Sequence, residues 1–326
     1  MAEEPTSAAA SGEPSGDRPE ESGWASSEGN GSGGNGSGGN GSGGNGSGGS
    51  GSSNDGSSGD SGSHQKNLER PTAEDIYQQV ALNAKTELKR STLSLAISGY
   101  AGGIFMGLSG LGTALVLGLF GVSPLTHFIA TMFYPVGFIV VIVGRAQLFT
   151  ENTLYPVALV LAEKRELLNT LRLWCTVLPA NICGALTFAA LASRTNALPE
   201  ETRHALAQLG ITAAHASPST VFWSAVTAGW IIATAAWLVS GSHSITGSVM
   251  ILWMLTFVVG LGGFAHCIAT SGEILSAVLS GQLSALSYMH WIWIAVAGNV
   301  CGGVFMVTLL EYGQAILAKG ETSVEG

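Results

Sequence analysis

Two long apolar runs in this chain are interrupted at matching places, and that limits the possible fold more than any other feature. The stretch from Gly260 to Glu273, G-L-G-G-F-A-H-C-I-A-T-S-G-E, breaks a run that begins near Ser248 and resumes at Ile274. It holds one ionisable imidazole, His266, and glycines at 260, 262, 263 and 272. Glycines let neighbouring backbones approach, or let a helix unwind where the freed backbone groups line a cavity. An ionisable group at membrane depth is by default a candidate for function. Earlier in the chain, Gly144-Arg145-Ala146-Gln147-Leu148-Phe149-Thr150 matches Gly263-Phe264-Ala265-His266-Cys267-Ile268-Ala269 in G-x-A followed by a polar residue and two apolar ones. A second echo pairs Asn181-Ile182-Cys183-Gly184 with Asn299-Val300-Cys301-Gly302. The offsets, 119 and 118 residues, agree on one period and imply an internal duplication.

Composition places the chain among integral membrane proteins: 46% of its residues are apolar and only 11% charged. The net charge of −9 belongs to the first 63 residues, where nine acids face one base, Arg18. The remaining thirteen acids and twelve bases nearly cancel, so nothing points to nucleic acid. The four cysteines lie inside apolar segments, fit no metal spacing and read as small apolar fillers. Neither a metal nor another cofactor is expected.

Residues 1–63 repeat Asn-Gly-Ser-Gly-Gly and cannot bury enough surface to fold, so a flexible acidic tail is expected. The tail has neither the basic start nor the apolar core of a secretory signal. Residues 64–91 read as a cytoplasmic amphipathic helix: Thr72 can cap it, and Ile76, Val80, Ala84 and Leu88 share one face. Residues 92–318 then form a channel domain of six apolar spans, roughly 93–119, 125–161, 168–192, 221–239, 244–279 and 290–317. A short cytoplasmic tail, 319–326, ends the chain. Lys66, Arg70, Lys85, Lys89, Arg90, Lys164, Arg165, Arg172 and Lys319 fall on one side, against Arg194 and Arg203 in the 194–220 loop. That bias places both termini in the cytoplasm of a multi-pass protein of the cell's inner or plasma membrane. Three spans per repeat invert the second repeat relative to the first. The expected fold is all-α, with six transmembrane helices in two inverted three-helix repeats. The second and fifth are broken, as in pores whose site lies at the midplane.

These residues resemble the formate/nitrite transporters over about residues 70 to 317. The specific elements are A-x-L-F-T (Ala146 to Thr150) in the second span and G-F-x-H-x-I-A (Gly263 to Ala269) in the fifth. Supporting them are G-N-x-x-G-G at Gly298 to Gly303 and the amphipathic helix. The resemblance implies an aquaporin-like protomer, a homopentamer in the lipid bilayer, and passage of small monovalent anions such as formate, nitrite or hydrosulfide. By position, it makes His266 the central pore histidine and Thr150 its partner on the facing loop. It makes Leu148 and Phe149 the residues narrowing the cytoplasmic side, and puts Tyr134 and Phe138 on the first half of the second span. The family's usual fourth-span asparagine is replaced by Gly229, the outer lysine is absent near Ala213 and His215, and Glu151 follows Thr150 directly.

A bare anion crosses an apolar constriction only at a high desolvation penalty. Protonation converts formate or nitrite into a neutral acid, and an imidazole can give and recover a proton near neutral pH. His266 bonded to Thr150 thus reads as a proton donor or a selectivity filter, with a neutral resting ring expected; the bland alternative is a core histidine satisfied by a carbonyl. Arg145 and Glu151 read as an ion pair stapling the first break, with an anion-repelling or proton-linked role for Glu151 as the sharper alternative. Glu273 faces either the pore mouth or a neighbouring subunit. Asn181 and Asn299 read as structural bonds to the broken segments, and Tyr288, His290, Trp291 and Trp293 as an interfacial anchor. The function read from the chain is passive or proton-coupled movement of a small weak-acid anion. The rivals are a pore for a small neutral solute such as water, ammonia or an undissociated acid, and a closed-pore scaffold or sensor acting through the tail. No nucleotide loop, metal cluster or nucleophile-base pair supports an enzyme.

Overall fold

The computed structural model describes residues 71–157, 160, 166–308 and 313, all of which lie in the second of two units, 1–60 and 61–326. The tails at 1–63 and 319–326 and the bases Lys66, Arg70, Lys164, Arg165 and Lys319 lie outside the described residues.

Helix α1, Ala73–Leu88, begins with a reciprocal cap: the Asp75 amide donates to the Thr72 hydroxyl (3.2 Å) and the Thr72 amide to the Asp75 carboxylate (2.9 Å). Val80, Ala84 and Leu88 are its buried stripe. The first span is α2, Thr92–Phe120. The second starts as α3, Pro124–Thr131, tightens through i→i−3 bonds at Met132, Phe133 and Tyr134, and continues from Pro135 as α4, Pro135–Val143. Pro135 cannot donate to the helix ladder, so the tightening sits directly before it. The third and fourth spans are α5, Leu167–Arg194, and α7, Pro218–Ser240. The fifth is made of α8, Ile245–Leu261, and α9, Ala269–Leu279. The sixth is α10, Ala285–Val300, which passes into a π-helical stretch at Cys301–Thr308.

Among the described residues, four rods are long and apolar enough to cross a membrane, α2, the α3–α4 pair, α5 and α7. Only 39–50% of each one's most apolar window is buried, so much of its surface is left for lipid or another subunit. The exposed faces carry Leu119, Phe120, Leu186, Trp223, Trp230, Met250, Trp293 and Phe305. Cys175, Cys183 and Cys301 are exposed as well, which corrects their reading as buried fillers; Cys267 is buried. Tyr288 and Trp291 are also buried (5% and 2% exposed), so within the expected anchor only His290 and Trp293 face outward.

The duplication is visible in the packing. In the first repeat α2 packs on α5, and in the second α7 packs on α10 and the π-helical stretch. Both crossings are set by glycine against backbone. A Cβ on Gly103 would lie 2.0 Å from the Asn181 carbonyl and one on Gly184 2.1 Å from that of Tyr100. Likewise, a Cβ on Gly229 would lie 2.2 Å from the Asn299 carbonyl and one on Gly302 2.0 Å from that of Val226.

The 194–220 segment, expected as an outer loop, holds a helix, α6, Glu200–Ala214. It lies against α2 and α9 and has acidic residues in its first turn, which favours that helix end. Close approach fixes it: Cβ atoms on Gly118 and Gly210 would collide with the backbone of Thr202 (2.9 Å) and of Glu273 (2.3 Å).

Candidate functional site

The two broken spans end their first halves in the same way. At α4 the Arg145 amide donates to Ile142 (3.2 Å) and the Ala146 amide to Val141 (2.9 Å). At α8 the Gly263 amide donates to Gly260 (3.1 Å) and the Phe264 amide to Val259 (3.0 Å). This is a Schellman stop, which needs a left-handed residue just past the helix. Gly263 supplies it at φ 60°, and Arg145 supplies it at φ 59°. The structural register therefore pairs Gly144 with Gly262 and Arg145 with Gly263, one residue from the sequence match that joined Gly144 to Gly263.

Beyond each stop the chain is unwound, and its freed backbone groups find side-chain partners. Asn181 accepts from the Phe149 amide (2.9 Å) and donates to the carbonyls of Gly99 (2.6 Å) and Gln147 (2.9 Å). Asn299 accepts from the Cys267 amide (2.8 Å) and donates to the carbonyls of Ala225 (2.8 Å) and Ala265 (2.9 Å). Two serines complete the cradle. The Gln147 amide donates to Ser98 Oγ (3.2 Å) and the Ala265 amide to Ser224 Oγ (2.7 Å). Sequence reasoning missed these serines; their only shared signal is a glycine five positions on, Gly103 and Gly229.

The unwound segments bring His266 and Thr150 together, with Nε2 2.8 Å from the threonine Oγ1. His266 Nδ1 accepts the Ala269 amide at 3.1 Å. Since Nδ1 is an acceptor, the proton of a neutral ring sits on Nε2 and is donated to Thr150. The Phe138 ring meets the imidazole edge-on, with centroids 4.8 Å apart, and Tyr134 lies 5.6 Å beyond Phe138. Phe149 packs on Trp174 (5.8 Å), whose indole N–H donates to the Asn152 carbonyl (3.0 Å). Phe138, Leu148, Phe149, Thr150 and His266 are all 0–2% exposed, so this region is closed to solvent.

Two cavities approach this region, one reaching Ala265 beside His266 and the other Glu151 beside Thr150. The one on the α6 side is about 820 Å³ and is lined by Tyr134, Phe264, Thr270, Glu273 and Trp291, with Glu200 and His204 of α6 at its roof. The one on the α1 side is about 380 Å³ and is lined by Gln79, Asn83, Arg145, Glu151, Tyr155 and His243. Their shared helix, α7, contributes Thr220 and Ser224 to the first and Val239 and Ser240 to the second. The cavities thus open at opposite ends of a rod of about 33 Å.

Gly229 packs against the Asn299 backbone, as its counterpart Gly103 packs against that of Asn181. Arg145 and Glu151 share a cavity but form no ion pair; Glu151 instead accepts from the Tyr155 hydroxyl (3.0 Å). Glu273, left open between pore and subunit interface, lines the α6-side cavity. A link unforeseen from sequence joins α1 to the first break. Gln147 Nε2 donates to Glu87 (2.7 Å), Asn152 Nδ2 donates to Gln147 (2.8 Å), and Arg90 pairs with Glu87 (3.0 Å).

A family model described as formate/nitrite transporter matches residues 74–313. The chain belongs to the formate/nitrite transporter family. Inner membrane protein YfdC of Escherichia coli (strain K12) is 33% identical to it over 253 residues, covering 73% of this chain and 77% of that protein. Two solved structures share the transporter's fold at 18% identity. One, described as an FNT family ion channel, has a TM-score of 0.67 over 74% of this chain and 98% of its own. The other, described as a pentameric formate channel with formate bound, has a TM-score of 0.60 over 69% of this chain and 98% of its own. This family member is an all-α membrane protein of the transporter class, not of an enzyme class.

Proposed function

We propose that the protein forms a pore for small monovalent weak-acid anions, formate and nitrite among them, with His266 and Thr150 as its filter. The observation that carries this reading is the 2.8 Å bond between them at the meeting of two broken helices, with one cavity reaching Ala265 beside His266 and another reaching Glu151 beside Thr150. A permeant oxyanion reaching this point would replace Thr150 as acceptor of the Nε2–H. Leu148 and Phe138 are the apolar gates beside it, Phe149 braces the loop through Trp174, and Tyr134 lines the α6-side approach.

The ring geometry sets a condition on proton coupling. His266 could hand a proton to an anion only after taking a second one on Nδ1. That proton displaces the Ala269 amide from Nδ1, so the first turn of α9 must shift. In the closed arrangement His266 acts as a neutral hydrogen-bond donor, and proton transfer belongs to a rearranged state.

Lys85, Lys89, Arg90 and Arg172 lie on or beside α1 and support a cytoplasmic location for that side, with both termini in the cytoplasm. The half-exposed apolar rods suit a bilayer and a homopentamer, the assembly in the description of one solved relative. Flux of formate, nitrite and hydrosulfide into proteoliposomes, between about pH 5 and 8, tests the reading with His266→Ala beside the wild type. Saturable anion flux lost in the variant is the expected result. Water or ammonia passage without any anion flux would replace it with a neutral-solute pore.

A further inference from the structure

We infer that Arg145 is an anion-capturing residue at the α1-side mouth of the pore, a role that rests on the anion-pore reading above. Arg145 occupies the left-handed position of the first Schellman stop, φ 59°, where the second repeat has glycine. A side chain other than glycine or asparagine is disfavoured in that region. The backbone does not require arginine: the matching place at Gly263 has open space where a Cβ would point. A strained residue that a glycine would relieve is a pointer to function when it also sits at a candidate site.

It does sit at one. Arg145 is exposed and lines the α1-side cavity of about 380 Å³. No described residue forms an ion pair or hydrogen bond with its guanidinium, and Glu151 is held by Tyr155. The fork of the guanidinium matches a carboxylate or nitrite in two-point contact. Amides of Gln79 and Asn83, which bond to each other at 3.1 Å, lie around the same space with the His243 imidazole. The opposite cavity has no lysine or arginine in its lining, where Glu200, Glu201 and Glu273 stand with His127 and His204. A permeant anion therefore meets a cation, Arg145, alongside Glu151 on the α1 side, and carboxylates with no lysine or arginine among them on the other. Arg145 collects the anion from the α1 side and presents it to the gate at Leu148.

The test compares wild type, Arg145→Gly, Arg145→Asn and Arg145→Lys as full-length chains. Glycine and asparagine both accept the left-handed backbone, so they remove the charge without forcing the turn. Formate protection against thermal unfolding in detergent and sided formate flux in liposomes are read together. At low salt, the neutral variants should raise the formate KM for entry on the α1 side by about fivefold or more, with the maximal rate nearly kept. Entry from the α6 side should keep its KM, Lys should recover part of the loss, and 1 M salt, with a Debye length of about 3 Å, should shrink the difference. Equal formate KM and equal protection in wild type, Gly and Asn proteins would overturn the inference. If wild type is protected by formate in an Arg145-dependent way yet moves no anion, the pore reading fails and the binding site stands.

Discussion

Asn181 and Asn299 make the same three hydrogen bonds, one set at each broken span. Each asparagine is fully buried and holds the unwound segment of its own repeat by both its amide and its carbonyl. Replacing either with alanine or leucine strands a buried N–H and two carbonyls. Each orphaned group costs about 1–3 kcal/mol, so the three together give losses of about 3–9 kcal/mol. We expect the two alanine variants to lower the apparent unfolding temperature by similar amounts. A large loss for one and none for the other would mean that the repeats are not equivalent in load, whatever their geometry.

Thr150 is the acceptor for His266, and its side chain is nearly isosteric with valine. Thr150→Val leaves the Nε2–H facing an apolar surface, while Thr150→Ser keeps the acceptor. If the pair is the filter, formate flux should fall about tenfold in the valine variant, the scale of one lost buried acceptor, and recover in the serine variant. Equal flux in all three proteins would reduce the contact to packing.

Phe138 separates the imidazole from Tyr134 and is one of the largest fully buried side chains. Its ring packs edge-on against the imidazole. Phe138→Ala should destabilise the protein by about 3–5 kcal/mol and let acetate or lactate pass at rates nearer to that of formate. A variant that folds and keeps the wild-type ranking of these anions would move the size limit to Leu148.

Glu273 lines the α6-side cavity at 8% exposure, and no described residue forms a hydrogen bond with its carboxyl group. As a carboxylate it repels an anion arriving from that side. Glu273→Gln should lower the formate KM for α6-side entry by a factor of about three to ten and leave α1-side entry unchanged. An unmoved KM would show that the group carries no charge in the working pore.

How much was readable beforehand follows from the physics at particular residues. The break at Gly262 and Gly263 was legible because glycine is the ordinary residue for a left-handed helix stop. The matching break at Arg145 was placed one residue off, because a sequence match aligns glycine with glycine. The structure aligns backbone conformation instead. Helix α6 was hidden by its low hydropathy, although Pro199, Glu200 and Glu201 are a fair helix start. What anchors it is contact between Gly210 and the Glu273 backbone, which no local pattern records. The pairing of His266 with Thr150 came from the family resemblance. The tautomer came only from seeing the Ala269 amide against Nδ1.

Gly229 tests the difference between analogy and packing. The resemblance puts an asparagine at this point of the fourth span, where this chain has glycine. In the structure, even a Cβ here would lie 2.2 Å from the Asn299 carbonyl and 2.8 Å from its Cα, a contact no rotamer can relieve. The helices α7 and α10 would have to separate, and with them the Asn299 bonds that hold the fifth span's unwound segment. We therefore expect Gly229→Asn and Gly229→Ala to be similarly defective in yield and unfolding temperature. Neither should gain flux, and Gly103→Ala should behave alike in the first repeat. A Gly229→Asn protein that is as stable as wild type and conducts formate faster would show that α7 turns this position toward the pore in the working state.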